Sequence, residues 1–195
     1  LSALALSAPS SLAATVSVSK QFPGDSSGTA KQVVIEDLAG ETNAMNILYT
    51  YEEPPAGNPF ALGSAVVTVR DFATAPTPGD GCAMTDRSTV ECKVDELGVI
   101  RAALGAEADR ATVSPLSDVS CDCATLDGEA GPDELTSFDG AWVRGGEGDD
   151  RITGRTGPAT RIRGDAFIGP DEEHIEGGPG NDVLDGGAAS DVIQG

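Results

Sequence analysis

GGEGDDRIT at residues 145–153 and GGPGNDVLD at residues 177–185 share one nine-residue formula, Gly-Gly-x-Gly-x-Asp-x-U-x, in which U is a large aliphatic residue. The three glycines predict a turn that visits positive φ and exposes its carbonyls, because glycine lacks the Cβ that makes this region costly. The last three residues predict a very short strand, in which alternation turns only the aliphatic side chain inward. One unit is therefore half of a coil, and two units complete it.

A pseudo-period near nine residues extends this pattern in both directions. Residues 168–176 and 186–194 keep the frame, and 128–136 and 104–112 keep an acidic residue and an inward aliphatic or alanine in the expected places. A disordered tail rich in Gly and Asp would share the composition but not the phased aliphatics. The inward candidates are Leu126, Leu135, Val143, Ile152, Ile162, Ile175, Leu184 and Ile193, with Asp109, Ala111 and Asp133 in register upstream.

The turns of this pattern offer oxygen ligands to a metal ion. Calcium is a hard cation that takes six to eight oxygens, so carbonyls of one turn and carboxylates of a neighbouring turn suit it. Because two units make one coil, we expect each turn to oppose the next but one. Asp150 should face the turn at 168–173, and that turn should face Asp191. Asp182 should face the degraded turn near 154–160 or a repeat beyond Gly195. The predicted Ca2+ ligands are Gly145, Gly146, Gly148, Asp150, Asp171, Glu173, Gly177, Gly178, Gly180, Asp182 and Asp191.

The formula resembles the RTX, or haemolysin-type, calcium-binding nonapeptide repeat. The resemblance implies an all-β fold: a right-handed parallel β-roll, which is a β-solenoid, over residues 114–195. A strand-rich part is expected before it, at 15–113, where TVSVSK, QVVIED, AMNILYTY and SAVVTVRDF alternate and are separated by turn residues. The stretches GETN at 40–43 and 79–113 resemble the region that precedes the repeats in secreted actinobacterial-type proteins of this kind.

The four cysteines fit an exported protein. Cys82 and Cys92 bracket a short polar loop, and we favour a disulfide between them among the three possible connectivities. Cys121 and Cys123 are one residue apart and could bridge each other only in a strained ring. A zinc site is the alternative, but a CxC pair and one distant histidine lack the usual ligand spacing.

The net charge and the N-terminal residues indicate the partners and the location of the protein. The formal net charge is -20, which argues against a nucleic acid partner because phosphate backbones are met by Lys and Arg patches. Residues 1–14 resemble the end of a secretory signal peptide, and no apolar run is long enough to span a membrane. We therefore expect a secreted protein whose predicted partner is the calcium ion.

No catalytic motif accompanies the repeats. HExxH is absent, and the single histidine, His174, occupies a variable strand position, so we expect no enzyme. The favoured function is an extracellular calcium-binding module with a structural or adhesive role, which folds on calcium binding after export. The alternatives are a calcium-dependent export and folding module of a larger secreted enzyme or toxin, and a vestigial solenoid that folds without metal.

Overall fold

The computed structural model describes residues 13–19, 30–37, 40–52, 63–116, 119–121, 124–138, 141–155, 161–163, 174–177, 180–181, 183–185 and 192–195. These residues form an all-β fold with no helix, as the sequence predicted, and hence none that could cross a membrane. The strands are β1 (Thr15–Ser19), β2 (Lys31–Glu36), β3 (Ala44–Glu52), β4 (Ser64–Asp71), β5 (Thr77–Pro78), β6 (Cys82–Asp86), β7 (Thr89–Val94), β8 (Leu97–Ala103), β9 (Arg110–Pro115), β10 (Val119–Cys121), β11 (Ala124–Asp127), β12 (Glu134–Phe138), β13 (Trp142–Arg144), β14 (Arg151–Arg155), β15 (Arg161–Arg163), β16 (His174–Glu176), β17 (Val183–Asp185) and β18 (Val192–Gln194).

Two eight-stranded sheets contain sixteen of these strands. The first sheet has the order β18-β16-β13-β11-β8-β2-β1-β5, and the second has the order β17-β14-β12-β9-β3-β4-β7-β6. Strands β10 and β15 pair with each other in a small parallel sheet of their own. From β11 to β14, and again from β16 to β18, consecutive strands alternate between the two large sheets, as expected when each nine-residue unit supplies one strand.

Both large sheets are mixed. The pairs β8–β11, β11–β13, β13–β16 and β16–β18 are parallel in the first sheet, as are β9–β12, β12–β14 and β14–β17 in the second. Among the described residues, antiparallel pairs occur only between N-terminal strands: β1–β2, β3–β4, β4–β7 and β6–β7. The N-terminal strands join the parallel part through the parallel pairs β2–β8 and β3–β9. All four strand-like runs predicted near the N-terminus are strands.

One apolar core lies between the two sheets. The side chains of the nine-residue phase stack in register, with Leu126 opposite Val143 in the first sheet and Leu135 opposite Ile152 in the second. These four side chains and Ile175 are buried, so their inward orientation is confirmed. Ala111, the upstream position, pairs with Leu135 and is buried too, which shows that the parallel stack begins before the recognisable glycines.

Three of the inward candidates differ from the prediction. Ile193 is exposed, because β18 is the edge strand of its sheet, and Leu184 is only partly buried. Ile162 lies on β15, which pairs with β10 instead of either large sheet. The irregular unit that contains Ile162 therefore adds no strand to the regular stack, and β14 pairs directly with β17.

The disulfide between Cys82 and Cys92 is confirmed and joins β6 to β7, where the two residues are direct partners in the antiparallel register. Strand β9 runs across the predicted domain boundary between residues 113 and 114, which stays a prediction. Residues 1–12, Cys123 and the side chains of Cys121 and His174 lie outside the described part of the chain.

Candidate metal centre

A column of turns connects the first sheet to the second. Each turn leaves a strand of the first sheet and enters a strand of the second, so the turns stack on one another as the strands do. The same hydrogen bond repeats at each level of the column. The first residue of each turn donates its backbone N–H to the carbonyl of the last strand residue in the next level toward the C-terminus, at distances of 2.8 to 3.1 Å. The turns are 37–43, 104–109, 128–133, 145–150 and 177–182.

Glycine is required where stacked turns bring backbone against backbone. Gly146 has a φ of 108° and Gly148 a φ of 144°, both in the region that L side chains rarely adopt. A Cβ at Gly148 would clash with the carbonyl of Gly131 in the neighbouring turn, and a Cβ at Gly146 would clash with the carbonyl of Glu129. The glycines of the repeat thus allow both the turn conformation and the close stacking.

The acidic position of each turn forms a ladder of carboxylates. Asp133 Oδ1 accepts a hydrogen bond from the backbone N–H of Asp109 at 2.9 Å, and Asp150 Oδ1 accepts one from the N–H of Asp133 at 2.9 Å. Asp109 Oδ1 in turn accepts from the N–H of Asn43 at 2.6 Å. We call these four residues, Asn43, Asp109, Asp133 and Asp150, the rungs of the ladder.

The carboxylates of the ladder are buried. Asp109, Asp133 and Asp150 are 3%, 2% and 1% exposed, and the Oδ2 atoms of Asp109 and Asp133 have no hydrogen-bond partner. Burial is the main cause that raises the pKa of Asp109 to about 6 and that of Asp133 to about 7, and neighbouring carboxylates contribute in the same direction. Buried anionic oxygens without a donor are costly, so these rungs require either a proton or a cation.

Oxygen atoms converge at the first residue of the turns. Next to the α-carbon of Gly128 lie both Asp133 Oδ2 and the carbonyl oxygen of Gly145, and a Cβ at Gly128 would clash with both. Next to the α-carbon of Gly145 lie Asp150 Oδ2 and the carbonyl oxygen of Gly177, in the same arrangement one level further on. Each level thus sets a carboxylate oxygen of one turn beside a carbonyl oxygen of the next turn.

This donor set fits calcium. It consists of carboxylate and carbonyl oxygens from successive turns, which is the oxygen chemistry that the ion prefers. Within the described residues no three His, Cys, Asp or Glu side chains cluster as a metal site, so carbonyls must supply part of any coordination shell. Asp150 and the carbonyl of Gly177 would hold the ion at one level, and Asp133 and the carbonyl of Gly145 would hold it at the level before.

The structure describes six of the eleven predicted ligands: Gly145, Gly146, Gly148, Asp150, Gly177 and Gly180. It brings Gly145, Asp150 and Gly177 together, as described above, whereas Gly180 is exposed. Asp171, Glu173, Gly178, Asp182 and Asp191 lie outside the described residues, and their role stays a prediction.

The predicted pairing of each turn with the next but one holds for 128–133 and 145–150, but turn 145–150 meets Gly177 and Val183 where 168–173 was predicted. Gly146 donates its N–H to the carbonyl of Gly177, and Val183 donates to the carbonyl of Asp150, so the two complete repeats stack directly. The physical reason is that residues 161–163 leave the regular stack to pair with β10. Gly177, Asn181 and Val183 bond to turn 145–150, and residues 168–173, which were predicted to face Asp150, lie outside the described part of the chain.

Sequence reasoning missed the N-terminal end of the ladder. Asp37 and Asn43 belong to a turn with no resemblance to the glycine formula, yet they occupy the first level of the column. Glu129 stands where the repeat has its second glycine and adopts a φ of 71°. The signal that could have found Asn43 is the β2-turn-β3 arrangement itself, since β3 pairs with β9 in the same frame as β12 does.

Comparison with known proteins agrees with the geometry of the column. Residues 142–157 and 167–195 match the family model described as the RTX calcium-binding nonapeptide repeat (4 copies). No curated protein and no solved structure matches the chain. The resemblance is confirmed: this is a protein with RTX-type calcium-binding repeats, and calcium binding follows for the repeat region.

Proposed function

We propose that this RTX-repeat protein is an extracellular calcium-binding β-roll with a structural or adhesive role, which folds on binding calcium after export. The observation that carries the proposal is the buried ladder, in which carboxylate oxygens of Asp133 and Asp150 lie beside carbonyl oxygens of the next turn. The matched repeats support calcium as the ion. We propose the right-handed parallel β-roll for 114–195 because its strands pair in parallel and alternate between two sheets.

Calcium stabilises such a column through charge. Residues 127–195 contain 16 acidic and 5 basic residues, so self-repulsion opposes their compaction. The ion would neutralise the carboxylates of the ladder and would join consecutive turns through shared oxygens. Because the unfolded chain lacks a preformed site, the free energy of binding becomes free energy of folding.

Compartment and affinity support an extracellular role. Extracellular calcium modules bind at about 10⁻⁴ to 10⁻³ M, so the repeats would stay unsaturated inside a cell and fill outside it. The disulfide between Cys82 and Cys92 is typical of proteins that fold in an oxidising environment. We propose a binding and shape-giving role without catalysis, since the sequence contains no HExxH motif and a single histidine.

Titration of the full chain with calcium or magnesium tests the proposal, with circular dichroism and calorimetry as readouts. We expect a cooperative gain of β signal with calcium and not with magnesium. Asp150→Ala should weaken calcium binding about tenfold or more, whereas the control Glu147→Ala removes an exposed carboxylate of the same turn and should change little. An identical β signal in chelator and in calcium would refute the proposal.

A further inference from the structure

We infer that the first level of the ladder is closed without an ion, because the side-chain amide of Asn43 fills the place that a cation takes at the other levels. The inference rests on the proposed function only where it assigns cations to those other levels. What it adds is a metal-independent end to the column, built from a turn that lies outside the matched repeats.

The amide nitrogen of Asn43 lies inside a cage of oxygens. Nδ2 is 3.0 Å from Asp37 Oδ2 and 3.1 Å from Asp109 Oδ1. It is also 2.9 Å from the carbonyl of Glu41 and 3.0 Å from the carbonyl of Leu104. Two carboxylates and two carbonyls thus surround one NH2 group, which has only two hydrogens to donate. An all-oxygen cage with more acceptors than donors is the surrounding expected of a cation.

Asn43 occupies the same place in its turn as the aspartates do in theirs. The carbonyl of Asn43 accepts the N–H of Arg110 at 3.0 Å, just as the carbonyl of Asp133 accepts the N–H of Arg151 at 2.7 Å. At both levels the side chain then faces the carbonyl of the first residue in the next turn, Leu104 or Gly145. The two levels can therefore be compared atom by atom.

The comparison shows what differs between the levels. At the first level a nitrogen donates to the Leu104 carbonyl, whereas at the later level Asp133 Oδ2 lies beside the Gly145 carbonyl with no hydrogen-bond donor. The amide supplies the hydrogens that the carboxylate cannot, and it does so with no net charge. The first level therefore holds a hydrogen-bond donor at its centre in the absence of metal, although Asn43 Oδ1 and Asp109 Oδ2 have no partner there, whereas the later level has no donor for Asp133 Oδ2.

This arrangement gives the column a fixed starting point. Asn43 is 1% exposed, and its contacts join the turn at 37–43 to the turn at 104–109. The junction between the N-terminal strands and the parallel part of the sheets is then formed before calcium binds. Turns at 128–133 and beyond can add to a level that is already ordered, which removes the need to nucleate a calcium site in an unfolded chain.

Asn43→Asp in the full chain tests the inference. The substitution removes the donor and adds a third carboxylate to the cage, which turns the level into one that needs a cation. We expect the unfolding midpoint to fall by about 5 to 10 °C relative to wild type in chelator, and most of that gap to close in millimolar calcium. The matched control is Asn46→Asp, on an outward-facing position of β3, where the gap should be small and the same in both conditions.

Three outcomes of this comparison would overturn the inference: no gap in chelator, a gap of equal size in calcium, or a gap that closes equally with magnesium. If Asn43→Asp does not fold in either condition, the double variant Asp37→Asn with Asn43→Asp decides. It returns one amide to the cage, so we expect it to fold in chelator, and failure to do so counts against the inference. The calcium response of the wild type is read separately, so failure of the proposed function is recognised on its own.

Discussion

At the scale of single residues, the need for glycine at a position depends on the neighbouring turn of the column as well as on the φ of the residue itself. Gly40 and Gly148 both adopt positive φ, 64° and 144°. A Cβ at Gly40 would meet Ala106 at an ordinary 3.6 Å, whereas a Cβ at Gly148 would clash with the Gly131 carbonyl. At Gly40 only the backbone conformation opposes a side chain, whereas at Gly148 a φ further from the left-handed helical region and the clash both oppose it.

Gly148→Ala should therefore destabilise the calcium-bound protein more than Gly40→Ala. We expect a loss of about 1 kcal/mol for the control, from the positive φ alone, and about 3 kcal/mol or more for Gly148→Ala, where turn 128–133 must also move. Urea unfolding in saturating calcium measures both. Equal losses would mean that the turns do not approach each other as closely as the structure has them.

The buried rungs predict a dependence of stability on pH in chelator. Folding raises the pKa of Asp109 to about 6 and that of Asp133 to about 7, above the ordinary value near 3.8, chiefly through burial. The folded state then holds more protons than the unfolded state between about pH 4 and 7, so stability falls as the pH rises through this window and levels off above it. Asp133→Asn stays neutral throughout.

We expect Asp133→Asn to become more stable relative to wild type as the pH of a chelator solution rises from 5 to 8. In calcium the order should reverse, because the variant lacks the carboxylate that would hold the ion. Chemical unfolding at several pH values, with and without calcium, measures both effects. Parallel pH profiles of the two proteins in chelator would contradict the prediction.

At the scale of strands and turns, the phase of the aliphatic residues was enough to predict most of the column. The inward side chains stack as the phase predicts: Leu126 lies opposite Val143, and Leu135 lies opposite Ile152. Alternation likewise predicted the N-terminal strands, because each has one face in the core. The period alone could not show that residues 161–163 leave the stack, since strand pairing is decided by a distant partner, β10, and not by the local pattern.

The edge of the second sheet carries the disulfide and predicts a local effect of its removal. Cys82 and Cys92 join β6 to β7 at the end of the sheet opposite to β14 and β17. Replacing both with alanine should lower the free energy of unfolding by about 2 to 3 kcal/mol, through the freedom gained by the unfolded chain. Calcium affinity, measured by calorimetry, should not change, and a large loss of affinity would show that this edge is coupled to the column.

At the scale of the whole molecule, buried apolar side chains are concentrated in the N-terminal part of the chain and acidic side chains in the C-terminal part. Most of the buried apolar side chains of the described residues precede residue 114. There the strands of four antiparallel pairs direct these side chains into the space between the sheets. Beyond it each short strand adds about one buried aliphatic side chain, among many carboxylates. The sequence showed this gradient in its composition, but not that both halves share the same two sheets, because the pairs β2–β8 and β3–β9 join residues far apart in the chain.

This gradient predicts that calcium orders the molecule from one end. In chelator the backbone amides of β3 and β4 should stay protected from hydrogen exchange, because their core and the Asn43 level need no metal. The amides of β14 and β17 should exchange freely there and gain protection of about a hundredfold or more in millimolar calcium, because two ladder levels then lose their uncompensated charge. Hydrogen exchange with mass spectrometry on the full chain measures both regions at once. Equal protection of all four strands in chelator would show that the column is stable without the ion, and loss of β3 and β4 together with β14 would show that folding is a single calcium-dependent step.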